Sequence, residues 1–269
     1  MVTHLPQRAL SPRDRGNDMP RSTDRTAVRP SQDRCCPVVE LRRYALQPGR
    51  RDDLIELFDR EFVESQEALG ARIIGQFRHL DDPDAFVWLR GFPDMPSRAA
   101  TLAAFYYGPV WRAHRERANA TMIDSDNVRL LRPAVPMSGF AVGAIERLPV
   151  DSETHDRGLV VANIRHINPN ADAAVTEAFE RDFAPVLAET GASVLSYFVT
   201  ETSVNTFPAL PVVEGERVFV WFSLFGDIAA YDNHLVAMSR SARTHNPVFN
   251  AKSPGDVWRL APTARSLIG

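Results

Sequence analysis

Apolar and polar residues along this chain fall into two periods that follow one another in a fixed order. From Val38 to Tyr44 the pattern alternates, with Val39 and Leu41 on one face and Glu40, Arg42 and Tyr44 on the other, which predicts a half-buried strand. Pro48-Gly49 supplies a turn. From about Asp52 the period lengthens: Leu54, Leu57, Phe58 and Phe62 lie at helical spacing, and Gly70 ends the run. Ile73 to Arg78 and Ala85 to Arg90 alternate again around a Leu-Asp-Asp-Pro-Asp loop and predict a hairpin. A helix over Ala99 to Tyr107 breaks at Gly108-Pro109 and resumes from Val110 to Met122, and a strand over Val128 to Arg132 stops at Pro133. The order βαββαβ is the ferredoxin-like split motif.

The order then recurs. Val160 to His166, Val194 to Thr200, Arg217 to Leu224 and Asp256 to Leu260 read as strands. Asp172 to Glu189, with a bend expected at Pro185, and Ile228 to Arg240 read as helices. Val38-Val39 aligns with Val160-Val161 at an offset of 122 residues, and Phe58-Asp59-Arg60-Glu61-Phe62 with Phe179-Glu180-Arg181-Asp182-Phe183 at 121. Phe-Val-Trp occurs at Phe86-Val87-Trp88 and at Phe219-Val220-Trp221, an offset of 133. Small changes of offset are those of loop insertions between two copies of one unit. The expected organisation is a disordered tail over 1–36, a first domain over 37–133, a linker over 134–158 with a short strand at Phe140 to Ile145, and a second, degenerate domain over 159–263. Glu201 to Glu216 replaces a short turn of the first unit by a long connection; such loops either cover a site or are inert surface insertions.

A ferredoxin-like sheet carries helices on one face, so its other face needs a cover, and a second copy supplies it. The fold expected is therefore α+β, with tandem ferredoxin-like repeats packed as a pseudo-dimeric α/β barrel. In strand three the uniformly apolar row, Val87 and Leu89 with Val220, Phe222 and Leu224, is assigned to the helices. That phase sends Trp88, Arg90, Trp221 and Ser223 into the barrel, with Glu40, Arg42, Tyr44, Gln76 and Arg78 from the first unit and Ala162, Ile164, His166, Tyr197 and Val199 from the second. One wall would be polar and the other apolar, as in pockets for small organic molecules.

Composition trims the alternatives. The 269 residues carry a net charge of −3, which argues against nucleic acid and anionic membrane as partners. No run is apolar for the roughly 18 residues of a spanning helix, and a cytoplasmic location is expected. The only cysteines, Cys35 and Cys36, are adjacent, which leaves no disulfide framework and no metal or redox spacing. Lys252 is the one lysine and a poor Schiff-base candidate. His79, His114, His234 and His245 show no metal-ligand spacing, and no phosphate loop or nucleotide fingerprint occurs, so no metal is expected and no cofactor is indicated by motif.

Glu40-Leu41-Arg42-Arg43-Tyr44-Ala45-Leu46-Gln47-Pro48-Gly49, Ile74-Gly75-Gln76-Phe77, Val87-Trp88-Leu89 and Asn127-Val128-Arg129-Leu130-Leu131-Arg132-Pro133, in that order, resemble the NIPSNAP family of the dimeric α/β barrel superfamily. The resemblance covers about Val38 to Pro133. It implies paired ferredoxin-like halves and relatives among cofactor-independent monooxygenases, isomerases, cyclases and haem-binding enzymes, haem entering only by that analogy.

The expected function is binding of a small aromatic or hydrophobic molecule between the two halves, with cofactor-independent monooxygenation, isomerisation or cyclisation as the chemistry. The alternative is a non-catalytic binding or assembly protein, monomeric or homodimeric, whose barrel is filled by side chains. His166, matched to Tyr44 at an offset of 122, is the candidate general base because histidine titrates near neutrality; the bland reading is an exposed residue at a strand end. Glu40 and Tyr44 are further catalytic candidates, Glu40 with Arg42 being equally readable as a structural ion pair. Arg42, Gln76, Trp88, Arg90, Tyr197 and Trp221 are substrate-binding candidates, the tryptophans as stacking surfaces or plain core.

Overall fold

The computed structural model describes residues 34–153, 157–240 and 255–269; the expected tail up to residue 33, His245 and Lys252 lie outside the described residues. The first unit runs β1 (Val38–Leu46), α1 (Arg51–Leu57), a π-helical turn (Phe58–Phe62), α2 (Val63–Glu67), β2 (Arg72–His79), β3 (Ala85–Phe92), α3 (Met95–Tyr106), α4 (Pro109–Asn119) and β4 (Met122–Pro133). The second runs β5 (Leu159–His166), α5 (Asp172–Ala178), a π turn (Phe179–Phe183), α6 (Ala184–Glu189), β6 (Ser193–Thr200), β7 (Val218–Phe225), α7 (Ile228–Arg240) and β8 (Gly255–Pro262).

Several boundaries have local causes. Helix α3 starts ahead of its apolar pattern because the Asp94 side chain accepts the Ser97 amide at 2.6 Å, with Pro96 in the first turn. Gly108 separates α3 from α4; a Cβ there would collide with the Ala104 carbonyl oxygen, so the corner requires glycine. The bend expected at Pro185 begins earlier, at the π turn, which the first unit shares without a proline. Both turns bury their two phenylalanines, Phe58 with Phe62 and Phe179 with Phe183.

The strands close into one antiparallel barrel in the order β1-β3-β2-β8-β5-β7-β6-β4. The units join at two seams, Phe77 to His79 of β2 against Leu260 to Pro262 of β8, and Leu131 to Pro133 of β4 against Phe198 to Thr200 of β6. Each strand has two neighbours, so the sheet closes on itself.

The barrel interior is filled, and it corrects the side-chain phase. Val39, Leu41, Val87 and Leu89 point inward against Val160, Ala162, Ile164, Val220 and Phe222. Glu40, Arg42, Tyr44, Trp88, Arg90, Tyr197, Val199 and Trp221 lie instead on the side that the helices cover. Where two sheets face one another no side chain reaches water, so the most apolar row belongs there. Helices over a sheet leave clefts in which polar groups find partners. Phe140 and Val142 of the linker enter the barrel as irregular chain, where a short strand was expected. Leu267 and Ile268 join them, so the second unit's packing continues past residue 263.

Residues 34–36 of the expected tail are docked: Arg34 donates to the Gly139 carbonyl and the Cys35 amide to Phe140 at 3.0 Å. Against the sequence expectation Cys35 and Cys36 are joined by a disulfide. Linking neighbours in the chain, it ties no two elements together. Among the described residues no helix is long and apolar enough to cross a membrane.

Candidate functional site

Glu40, in the middle of β1, is fully buried and is the anchor of a charged cluster. Its Oε1 accepts from Arg98 Nε at 2.6 Å; its Oε2 accepts from Arg42 Nη1 at 2.9 Å and from Arg90 Nε at 3.0 Å and Nη2 at 2.5 Å. Strand geometry explains the grouping: Glu40 sits opposite Arg90 and Arg42 opposite Trp88 across the β1–β3 pair, while Arg98 descends from α3. Arg90 Nη1 donates to Gln66 Oε1 at 2.6 Å, and Gln66 Nε2 to the Phe62 carbonyl at 2.8 Å. Three guanidinium groups thus share one carboxylate. Burial by itself would raise the Glu40 pKa, but Arg90, Arg42 and Arg98 outweigh it and hold the carboxyl far below the usual range. Held by three guanidinium groups, Glu40 is the counter-ion of the cluster.

Arg42 turns its Nε to the Tyr44 hydroxyl at 3.2 Å and lies over the Trp88 ring at 5.3 Å. Arg90 flanks the same indole at 5.0 Å. Tyr44 is pushed up to about 12, chiefly by burial, against the pull of Arg42. With its oxygen accepting from arginine, the phenol keeps its own proton to donate.

Above this cluster a cavity of about 400 Å³ opens between sheet and helices of the first unit. Tyr44, Trp88 and Gln66 line its floor side, and Phe58, Phe62, Phe105, Tyr106 and Trp111 its walls. The volume falls in the range of small-molecule sites. Among the described residues of this cluster two buried donors have no hydrogen-bond partner, the indole N–H of Trp88 and Nη2 of Arg98.

The long connection between β6 and β7 covers this cavity. Phe207 inserts beside Phe92, Met95 and Leu102 and stacks on Tyr106 at 6.1 Å, and Ala209 and Leu210 complete the lining. Asn205 accepts from Arg98 Nη1 at 3.0 Å, so one guanidinium joins the covering loop to Glu40. The second unit thereby closes the site of the first, and of the two readings of this loop the structure favours the cover.

The remaining candidates lie elsewhere. His166 is exposed at the end of β5 and lines neither this cavity nor the one in the second unit. Its alignment with Tyr44 was one residue out. Asn163 faces Trp221 as Arg42 faces Trp88, which makes Arg165 the counterpart of Tyr44; a slip of one along a strand turns every side chain to the other face. Gln76 lies beneath the first π turn, its Nε2 donating to Asp59 Oδ1 at 2.6 Å and its Oε1 accepting from Arg147 at 3.2 Å. Tyr197 packs on Phe179 and Phe219 in the second unit and donates to Glu180, burial and that hydrogen bond raising its pKa. Trp221 borders the second cavity. His79, His114 and His234 are engaged singly, with the Asp81 amide, Glu61 and Thr190, and the described residues contain no cluster able to hold a metal. Among the described residues that line the first cavity there is no histidine or cysteine. Sequence reasoning missed Arg98, Gln66 and Phe207. An arginine directly ahead of the apolar stretch Ala99 to Phe105, and a phenylalanine in the long insertion, are the signals for Arg98 and Phe207.

Fold and site together define an α/β barrel of two ferredoxin-like halves with an aromatic cavity between helices and sheet. Residues 39–137 match the NIPSNAP family model. No curated protein matches the chain. Among solved structures, the putative monooxygenase of Fusobacterium nucleatum is similar at TM-score 0.52 and 9% identity, over 85% of this chain and 93% of its own. The putative monooxygenase of Lactobacillus acidophilus is similar at TM-score 0.51 and 15% identity, over 87% and 98%. At these identities the likeness establishes the fold.

Proposed function

We propose that this protein binds a small, planar, phenol-like aromatic molecule in the helix–sheet cavity of its first unit and favours its anion. The carrying observation is the unequal charge beneath the cavity: three buried guanidinium groups and one carboxylate. Buried positive charge left without a full complement of carboxylates lowers the pKa of an acidic hydroxyl placed against it. Tyr44 and the unpaired Trp88 N–H are donors for the ligand's oxygen, and the aromatic walls suit a flat ring. An electron-rich phenolate is also the form that reacts with dioxygen unaided. One oxygen atom would enter the ring to give a quinone, the other would leave as water, and the phenol would be the reductant. The names of the two structural neighbours agree with that chemistry by analogy alone.

The filled barrel interior favours the non-catalytic reading for the space between the halves, and oxygen uptake separates the two. Titrating 1-naphthol into the protein below the free phenol's pKa should produce the naphtholate absorption band, and Arg42→Met should abolish it. Oxygen consumption on adding a dihydroxynaphthalene supports the oxygenase. Naphthol bound only in its neutral form, with no band in either protein, would overturn the proposal.

A further inference from the structure

A second cavity, of about 310 Å³, lies between β5, β7 and α7 in the second unit. It takes the place that the first cavity holds in its own unit, but strand register shows different chemistry at the matching positions. Val161 and Ser223 stand opposite one another where the first unit has Glu40 and Arg90, and Arg165 stands where it has Tyr44. Phe183, Leu187, Trp221 and Met238 make the wall apolar.

Arg165 is 7% exposed and lines this cavity, with its guanidinium over the Trp221 ring at 5.5 Å. Nη1 donates to the carbonyl oxygens of Ile164 at 3.0 Å and Asp256 at 3.1 Å, while Nε has no partner. The buried hydroxyl of Ser223, on the same lining, is also unpaired. The hydrogen bonds of Arg165 go to backbone carbonyls, which carry no net charge. Burial lowers its pKa, only partly offset by Asp256 and Tyr231. A buried guanidinium is costly unless an anion meets it, and its planar fork matches a carboxylate. In the first unit Glu40 is a built-in counter-ion; here valine replaces it, and among the described residues no carboxylate meets the guanidinium at hydrogen-bond distance.

We infer that the cavity between β5, β7 and α7 binds a small monocarboxylate with an apolar or aromatic body. Arg165 takes the carboxylate through its free Nε, Ser223 adds a hydroxyl donor, and the aromatic and aliphatic wall holds the body. The site is independent of the phenol site proposed for the first unit.

The test is a titration of the full chain with benzoate, and with benzamide as the neutral isostere, followed by tryptophan fluorescence and by the thermal midpoint. Benzoate should raise the midpoint and bind about tenfold or more tighter than benzamide. Arg165→Gln should remove this binding step, and Trp88→Phe, in the other cavity, should leave it in place. Should the arginine variant fail to fold, Ser223→Ala reads the same site and should weaken benzoate about threefold or more. Equal affinity for the two probes, a benzoate step unchanged in the arginine and serine variants, or its loss on Trp88→Phe would overturn the inference.

Discussion

Glu40 and Asp59 are both carboxylates of the first unit, and their surroundings move them in opposite directions. Glu40 meets three guanidinium groups at hydrogen-bond distance and is held ionised. Asp59, on the π turn, receives one amide from Gln76, and burial raises its pKa to about 6 against the weaker pull of Arg265, Arg147 and Arg78. A raised carboxylate means that the folded chain holds a proton more tightly than the unfolded chain. Between the ordinary aspartate value and about pH 6, stability therefore falls as pH rises. Asp59→Asn should stabilise the protein by about 1–3 kcal/mol at pH 7.5 and change it little at pH 4. Urea unfolding at the two pH values measures the difference; equal effects at both would show that Asp59 is not the group responsible.

At the scale of elements, the connection from β6 to β7 does the most to shape the site. Phe207 of this connection is buried against Val38, Phe92, Met95 and Leu102 of the other unit, with Leu210 and Val212 beside it. Asn205 and Thr206 fix the tip, the first through Arg98 and the second by donating to the Met95 carbonyl at 3.1 Å. Phe207→Ala should lower stability by about 2–4 kcal/mol, toward the lower end of buried aromatic truncations because the loop can settle. It should also speed release of a cavity ligand such as 1-naphthol. Stopped-flow dissociation measures this, and an unchanged rate would separate the loop from the site. The π turns are a second device at this scale: both units carry one over a Phe-acid-Arg-acid-Phe stretch, and the phenylalanines of the first line its cavity.

For the whole molecule, the closed barrel makes each unit the cover of the other. Residues 37–137 alone would expose the inner face formed by Val39, Leu41, Val87, Leu89 and Leu131, along with the free edges of β2 and β4. That fragment should self-associate, since apolar patches of this kind and unpaired edges both seek partners. Sedimentation should find dimers or larger species; a stable monomer with native-like melting would contradict the mutual covering.

The sequence by itself determined the element order, the two-unit organisation and the presence of Glu40, Arg42, Tyr44 and Trp88 on one face of the sheet. Those follow from local periodicity, which is written residue by residue. It left open which face was interior, because both rows of β3 contain large apolar residues and alternation carries no sign. Only tertiary packing decided that. Facing sheets exclude water altogether and claim the row of Val87 and Leu89, while Trp88 and Arg90 go to the helix side, where Gln66, Arg98 and a loop from the other unit complete the cluster. Such partners lie up to 107 residues apart in the chain, and no local pattern encodes their meeting.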